Sequence, residues 1–139
     1  MKKKQNIYLD YSATTPVDPV VLKAMTPFFS KKFTNPSSLY KKGLDARESL
    51  EISRLKIAQT INAEAGEIVF TSSATESNNL ALKGVAWANK NKGKHIIISA
   101  IEHDCVLASA AWLQKQGFGL TLINPEKNGV VDPQKIKVA

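Results

Sequence analysis

The sequence SSATESNN, residues 72–79, stands between a strand-like segment, residues 67–71, and a helix-like segment that runs to Lys90. Small and hydroxyl side chains at a strand-to-helix turn leave the backbone N–H groups of the turn accessible. The positive end of the helix dipole lies at the same place, so such a turn favours a bound phosphate. The stretch therefore predicts a β–α unit with an anion site at its turn.

Strand and helix patterns alternate after this turn. The sequence predicts strands over residues 95–99 and 119–123, a helix over 104–116 with Gly117 as its stop, and a last helix that starts at Asp132-Pro133. The strand at 95–99 is apolar without alternation, as in sheets covered on both faces. We therefore expect an α/β fold with a mostly parallel sheet flanked by helices.

His103 lies just after the strand at 95–99 and should fall on the same edge of a parallel sheet as the turn at 72–79. Imidazole is suited to proton transfer near neutral pH. A phosphate site with an imidazole beside it indicates a phosphorylated cofactor rather than a free anion.

Two helices are predicted before the turn. Asp18-Pro19 starts the first, and Pro27 should kink or end it. The second runs over residues 43–61, with apolar side chains at three-residue spacing that predict a buried stripe. The members of this stripe are Ile52, Leu55, Ala58 and Ile61.

Composition fits one soluble domain of 139 residues with a formal net charge of +7. The lysines are spread over element ends and loops, including the run at residues 2–4, so a solvated surface is favoured over direct nucleic-acid binding. A single cysteine, Cys105, excludes an intrachain disulfide and fits a reducing compartment. No signal peptide, membrane span or metal-ligand spacing is visible, so we expect a cytoplasmic protein without a metal site or membrane contact.

Several motifs in order carry a family resemblance. They are YLDYSATTP at residues 8–16, NPSS at 35–38 with Gly43, the segment 67–79, the pair Glu102-His103 and the turn Asn128-Gly129. With these motifs the chain resembles the N-terminal part of cysteine desulfurases, which are pyridoxal-phosphate enzymes of the class V aminotransferase group. The match covers essentially the whole chain.

The resemblance implies the N-terminal part of a fold-type I PLP-dependent transferase large domain, truncated. Residues 1–139 would then form a single incomplete domain. Within it, residues 1–42 would supply an N-terminal arm, helix and loop, and residues 43–139 the start of the PLP-binding large domain.

The resemblance also implies site roles. Ala74 and Thr75 would hold the phosphate of pyridoxal 5'-phosphate through backbone N–H and hydroxyl groups. His103 would stack on the pyridine ring and act in catalysis by assisting proton transfers. Ala13, Thr14 and Asn35 would lie on the substrate side.

The implied activity converts L-cysteine to L-alanine and passes a persulfide sulfur to an acceptor protein, such as an iron–sulfur scaffold, for iron–sulfur cluster or thio-cofactor assembly. The full-length form is expected to be a homodimer. The family's Schiff-base lysine, the aspartate that pairs with the pyridine nitrogen and the sulfur-accepting cysteine have no counterpart among these residues and would lie beyond Ala139. We therefore expect the 139-residue chain alone to be inactive.

The sequence is also compatible with other functions. Other class V enzymes, such as selenocysteine lyases, share this front part, and a non-catalytic phosphate-ligand-binding α/β module would show the same pattern. Thr75 could simply cap its helix. Cys105, in the first turn of a helix, is not expected to be the sulfur acceptor, and we expect His95 to be structural and Lys83 to be solvated.

Overall fold

The structure, a computed structural model, describes residues 7–139. The lysine run at residues 2–4 and the first part of the expected N-terminal arm lie outside the described residues. The chain divides into two compact units, of which the first ends at Ile68 and the second begins at Val69. Each unit is described by itself below.

Helix α1, Pro19–Ser30, opens the regular structure of the first unit. Asp18 is its N-cap, and the Val20 N–H donates to Asp18 Oδ1 over 2.7 Å. The helix does not end at Pro27, contrary to one of the two expectations for this residue. The Pro27 carbonyl still accepts from the Lys31 N–H at 2.9 Å, so the last turn is retained.

Helix α2, Lys41–Thr60, follows a turn-rich loop. The predicted buried stripe is wrong for three of its four members, since only Ala58 is buried while Ile52, Leu55 and Ile61 are exposed. The spacing of these residues places them on one helix face, but among the described residues that face is covered only around Ala58. Periodicity predicts a shared face and does not supply the partner that buries it.

The strand expected over residues 67–71 is not formed. Glu67 closes a single 3₁₀ turn, Ala65–Glu67, and residues 68–71 have no strand assignment, although the Ile68 backbone is extended. An extended segment becomes a strand only when a neighbouring strand pairs with it. In the part of the chain that the structure describes, the sheet holds two strands, neither of them in this segment.

The second unit contains helix α3, Ala74–Ala88, strand β1, His95–Ser99, helix α4, Asp104–Lys115, strand β2, Gly119–Ile123, and helix α5, Pro133–Val138. The strands pair in parallel, from His95 with Gly119 to Ser99 with Ile123. The α/β class with a parallel sheet flanked by helices is thus confirmed. The two predicted strand ranges at 95–99 and 119–123 are confirmed as well.

The core of the second unit lies where α4 meets the sheet. Ala110 and Leu113 are fully buried, and Phe118 and Ile123 are nearly so. Gly117 ends α4 with a φ of 88°, a backbone conformation that residues with a side chain rarely adopt. This core fixes the end of α4 against β2 and so positions the opposite, N-terminal end of the helix.

Candidate functional site

The N-terminus of α3 is closed by side chains of the SSATESNN stretch. Ser73 is the N-cap, and its Oγ accepts from the Glu76 N–H over 3.2 Å. The interpretation that Thr75 caps this helix is therefore wrong. Thr71 Oγ1 lies 2.6 Å from Ser77 Oγ and ties the incoming chain to the first turn.

Glu76 folds back over the turn. Its Oε2 accepts from the Ser72 hydroxyl at 2.7 Å and from the Ser72 N–H at 2.6 Å. These bonds stabilise the carboxylate, so the Ser72 hydroxyl, and after it the Ser72 N–H, lowers the pKa of Glu76 below its ordinary value. The Glu76 carboxylate therefore stabilises the turn as a charged hydrogen-bond acceptor.

Backbone donors remain unpaired at this helix end. Among the residues that the structure describes, none accepts a hydrogen bond from the N–H of Ala74 or of Thr75, and the Thr75 hydroxyl has no protein partner either. Both residues are exposed. The turn thus presents two N–H groups and one hydroxyl to an incoming anion, at the positive end of a 15-residue helix.

His103 is the N-cap of α4, four residues beyond the end of β1. Its Nδ1 accepts from the Cys105 N–H over 3.2 Å. A backbone N–H can only donate, so in the neutral ring the proton sits on Nε2. The imidazole is exposed.

Helices α3 and α4 pack side by side and run in the same direction. Near their N-termini, Asn78 Nδ2 donates to Cys105 Sγ over 3.1 Å. Near their C-termini, the rings of Trp87 and Trp112 lie 5.8 Å apart. Both helix N-termini therefore meet at one edge of the second unit, and Cys105 Sγ, 3.1 Å from His103 Nδ1, links the imidazole to α3.

Ala13 and Thr14 belong to the first unit and lie in a tight turn. Their N–H groups donate to the Asp10 carbonyl at 3.1 and 3.5 Å. The Tyr8 hydroxyl donates to the same carbonyl over 2.7 Å and also lies 3.3 Å from the Thr14 carbonyl. The turn is thus held by local contacts, and its place on the substrate side stays a prediction.

Asn35 also lies in the first unit, in the loop before α2. Its Oδ1 accepts from the Ser37 N–H over 2.8 Å, and its carbonyl accepts from the Ser38 N–H over 3.1 Å. The side-chain oxygen therefore shapes this turn. The proximity of Asn35 to the substrate stays a prediction.

Sequence reasoning missed the contact between Asn78 and Cys105. The available signal was positional, since Asn78 lies one helical turn after Ala74 and Cys105 lies two residues after His103. Pairing them, however, requires the packing of α3 on α4, which no local pattern gives.

Lys83 is only partly solvent-exposed, whereas a solvated side chain was expected. Its Nζ donates to Asn79 Oδ1 over 2.6 Å and lies 4.8 Å from the centroid of the Trp112 ring. A half-buried lysine between an amide and an aromatic face joins α3 to α4 and has a structural role. His95 pairs with Thr121 Oγ1 across the sheet at 2.7 Å, in line with a structural role.

Residues 7–139 contain neither a cluster of metal-ligating side chains nor a membrane-spanning helix. No three His, Cys, Asp or Glu side chains converge in this part of the chain as metal ligands would. Among the same residues, no helix combines the length and apolar character needed to cross a membrane.

The comparisons with known proteins define the class. A family model described as aminotransferase class-V matches residues 7–139, so the chain belongs to that family. Members of this family depend on pyridoxal phosphate.

Individual relatives narrow the likeness. The chain is 49% identical over 136 residues, 98% of its length, to a protein of Dictyoglomus turgidum named cysteine desulfurase IscS, of which it covers 34%. A solved NifS-like protein matches 96% of the chain with a TM-score of 0.90 and 36% identity, over 37% of that chain. A structure titled SspA in complex with cysteine matches 95% with a TM-score of 0.87 and 41% identity, over 38% of that chain.

The chain spans about a third of the length of the curated relatives that it matches. The fold of an N-terminal part of a fold-type I enzyme is thereby shown.

Proposed function

We propose that this chain supplies the phosphate-binding turn and the ring-covering histidine of a pyridoxal-phosphate site in an L-cysteine desulfurase. One observation carries the proposal. The unpaired N–H groups of Ala74 and Thr75 open the helix α3 whose first turns are tied, through Asn78 and Cys105, to the imidazole of His103.

The residues present fit a phosphate ester. A phosphate needs several donors, and the turn offers the N–H groups of Ala74 and Thr75 and the hydroxyl of Thr75. Glu76 adds a negative charge nearby, but its Oε2 is already bonded by the Ser72 hydroxyl and N–H. The helix terminus adds about 0.3–2 kcal/mol toward an anion, so it orients the cofactor and needs further contacts to retain it.

The bound cofactor would supply an electron sink for reactions at the carbon that carries the substrate amino group. The contribution of this chain is then binding and proton handling. His103 would cover the ring and give or take a proton at Nε2, because Nδ1 is occupied by the Cys105 N–H.

L-Cysteine is the proposed substrate, and L-alanine and a persulfide sulfur are the proposed products. The names of the relatives support this, since one is a cysteine desulfurase and another was solved in complex with cysteine. Ala13, Thr14 and Asn35 would line the substrate side. We further propose a sulfur-acceptor protein such as an iron–sulfur scaffold as partner, a homodimeric full-length form and a cytoplasmic location.

The test uses the whole polypeptide that the gene encodes. On addition of pyridoxal phosphate we expect an absorbance band near the edge of the visible range. On addition of L-cysteine with an excess of a thiol reductant, which reduces the persulfide sulfur to sulfide and is itself oxidised to a disulfide, we expect alanine and sulfide in equal amounts. Pyridoxal without the phosphate is the matched control and should give a much weaker band.

The possible outcomes separate the functions. A cofactor band with no product from L-cysteine would reject the desulfurase and retain a class V enzyme of other specificity. The absence of any cofactor band would reject the pyridoxal-phosphate site and leave a binding module for another phosphate ligand.

A further inference from the structure

We propose that Cys105 is a positioning residue that, together with Asn78, fixes the ring of His103 and the place of its proton. The importance of this positioning for catalysis rests on the proposed function of His103. The contacts that position the ring do not depend on that function. Three groups form a chain of contacts across two helices, from the Asn78 amide through the Cys105 thiol to the His103 imidazole.

The direction of this chain follows from its donors. Asn78 Nδ2 can only donate, so Cys105 Sγ accepts at that contact, 3.1 Å long. The sulfur also lies 3.1 Å from His103 Nδ1. Nδ1 accepts from the Cys105 N–H at 3.2 Å and so carries no hydrogen of its own, which leaves the thiol hydrogen as the donor at the contact with sulfur; the two donors share the one lone pair of Nδ1.

These contacts determine which nitrogen of the His103 ring carries the hydrogen. Two donors from one residue converge on Nδ1, so the neutral ring carries its hydrogen on Nε2. The thiol also limits rotation of the ring, because a turn about its bond to Cβ would break both contacts. Asn78 holds the sulfur in place from α3, so the imidazole is set relative to the helix that presents Ala74 and Thr75.

Cysteine suits this place for a physical reason. Cys105 is half-buried, in the second position of α4, between the imidazole and α3. A thiol accepts one hydrogen bond and donates another across the long contacts that a large sulfur atom allows. Alanine at this position would keep the backbone contact and lose the link between the helices.

The test reads the hydrogen position on each imidazole nitrogen by ¹⁵N NMR of the full chain with labelled histidine, at a pH where the rings are neutral. In the wild-type chain we expect His103 in the Nε2–H form. In the C105A variant the ratio of the two neutral forms should fall by about two- to tenfold, which corresponds to the loss of one ordinary hydrogen bond. The C105S variant should restore the ratio, since a hydroxyl can make the same two contacts.

Three controls separate positioning from general damage to the fold. His95, which pairs with Thr121, reports from the same molecule and should keep its ratio in every variant. The S109A variant removes from the same helix a hydroxyl that donates to the Cys105 carbonyl at 2.7 Å, and it should leave His103 unchanged. The N78A variant should produce a shift in the direction of C105A, but a smaller one.

An unchanged ratio in C105A, or an equal change in S109A, would overturn the proposal. If C105A does not fold, the comparison of N78A with the wild-type chain decides in its place, with an unchanged ratio counting against the proposal. Because no cofactor takes part, a failure here leaves the proposed cofactor site standing. A missing cofactor band would, conversely, leave this result intact.

Discussion

At the scale of single residues, the turn at 72–79 has backbone N–H groups of two kinds, those that donate to a side chain of the turn and those that have no acceptor there. Ser73 and Glu76 use their side chains to satisfy the N–H groups of Glu76 and Ser72. The N–H groups of Ala74 and Thr75 have no acceptor among the described residues. Sequence reasoning predicted these two residues from the small side chains and the family motif, but it could not assign the cap, because Ser73 and Thr75 have similar cap preferences.

Thr75 gives the most direct test of phosphate binding. The variant Thr75→Val removes the hydroxyl and keeps the backbone N–H. We expect it to weaken the affinity of the encoded polypeptide for pyridoxal phosphate by about 1.5 kcal/mol, roughly tenfold, the lower range for a hydrogen bond to a charged group. The measurement is a titration followed by the cofactor absorbance.

The matched control is Thr60→Val in α2, whose hydroxyl donates to the Ile57 carbonyl at 2.7 Å. Its affinity for the cofactor should equal that of the unchanged protein. If Thr75→Val binds pyridoxal phosphate as well as Thr60→Val does, the hydroxyl does not contact the phosphate.

Glu76 should make stability depend on pH in the acid range. Its pKa is lowered in the folded chain by the Ser72 hydroxyl and N–H, so the carboxylate stabilises the fold above its ordinary pKa. This contribution is lost as the pH falls through the lowered value. The urea midpoint should therefore drop less on acidification in Glu76→Gln than in the unchanged chain.

Glu48→Gln is the control for this pH series, since it removes a similar exposed carboxylate from α2. Its acid dependence should follow the unchanged chain. Parallel curves for Glu76→Gln and the unchanged chain would show that the bonds to Ser72 do not hold the turn.

At the scale of elements, sequence signals correctly predicted features that depend on neighbouring residues alone, such as the starts of helices. The cap residues Asp18 and Asp132 start α1 and α5, and their Oδ1 atoms accept from the N–H groups two residues on. The predictions of a strand at 67–71 and of a fully buried face on α2 were wrong, because each of these structures needs a partner element. A pattern predicts which face is apolar, while only the tertiary structure supplies what covers it.

Gly43 in α2 packs closely against Ser38 of the loop at 35–38, which gives a physical reason for a glycine at this position. A Cβ built on Gly43 would lie 2.7 Å from Ser38 Cβ and 2.9 Å from the Ser38 carbonyl carbon, and closer still to the carbonyl oxygen. Real Cβ atoms do not approach backbone so closely. We expect Gly43→Ala to destabilise the chain by about 1–3 kcal/mol, the usual cost of overpacking.

Gly84 in α3 is the matched helical glycine, because a Cβ there meets nothing within 4 Å. Gly84→Ala should stabilise the chain by about 1 kcal/mol, since alanine is the better helix former. The two variants should thus shift the thermal midpoint, followed by circular dichroism, in opposite directions. A gain in Gly43→Ala would mean that the loop moves away without cost.

At the scale of the whole molecule, the described residues bury few large apolar side chains. Leu113 is the only large side chain among them that is fully buried. Phe29, by contrast, is 73% exposed and Val85 63% exposed. The hydrophobic fraction of the sequence, 43%, is ordinary for a globular protein, so composition alone could not predict this surface.

The sheet of the second unit adds to this exposed surface. Strands β1 and β2 pair with each other, and among the described residues neither has a second neighbouring strand. Unpaired strand edges beside apolar side chains favour association between chains. We therefore expect the purified 139-residue chain to self-associate with rising concentration, as measured by sedimentation velocity.

A charge on β2 separates association through the sheet from association by apolar surface in general. Leu122, half exposed on β2, becomes a charged site in Leu122→Lys, which should shift the onset of association to higher concentration. Gln59→Lys adds the same charge to helix α2 of the first unit instead of to a strand, and it should leave the onset unchanged. If both variants behave alike, net charge controls association and the strand edge does not. A monomer at all concentrations, with a sharp cooperative melt, would show that this exposed surface is compatible with a stable single chain.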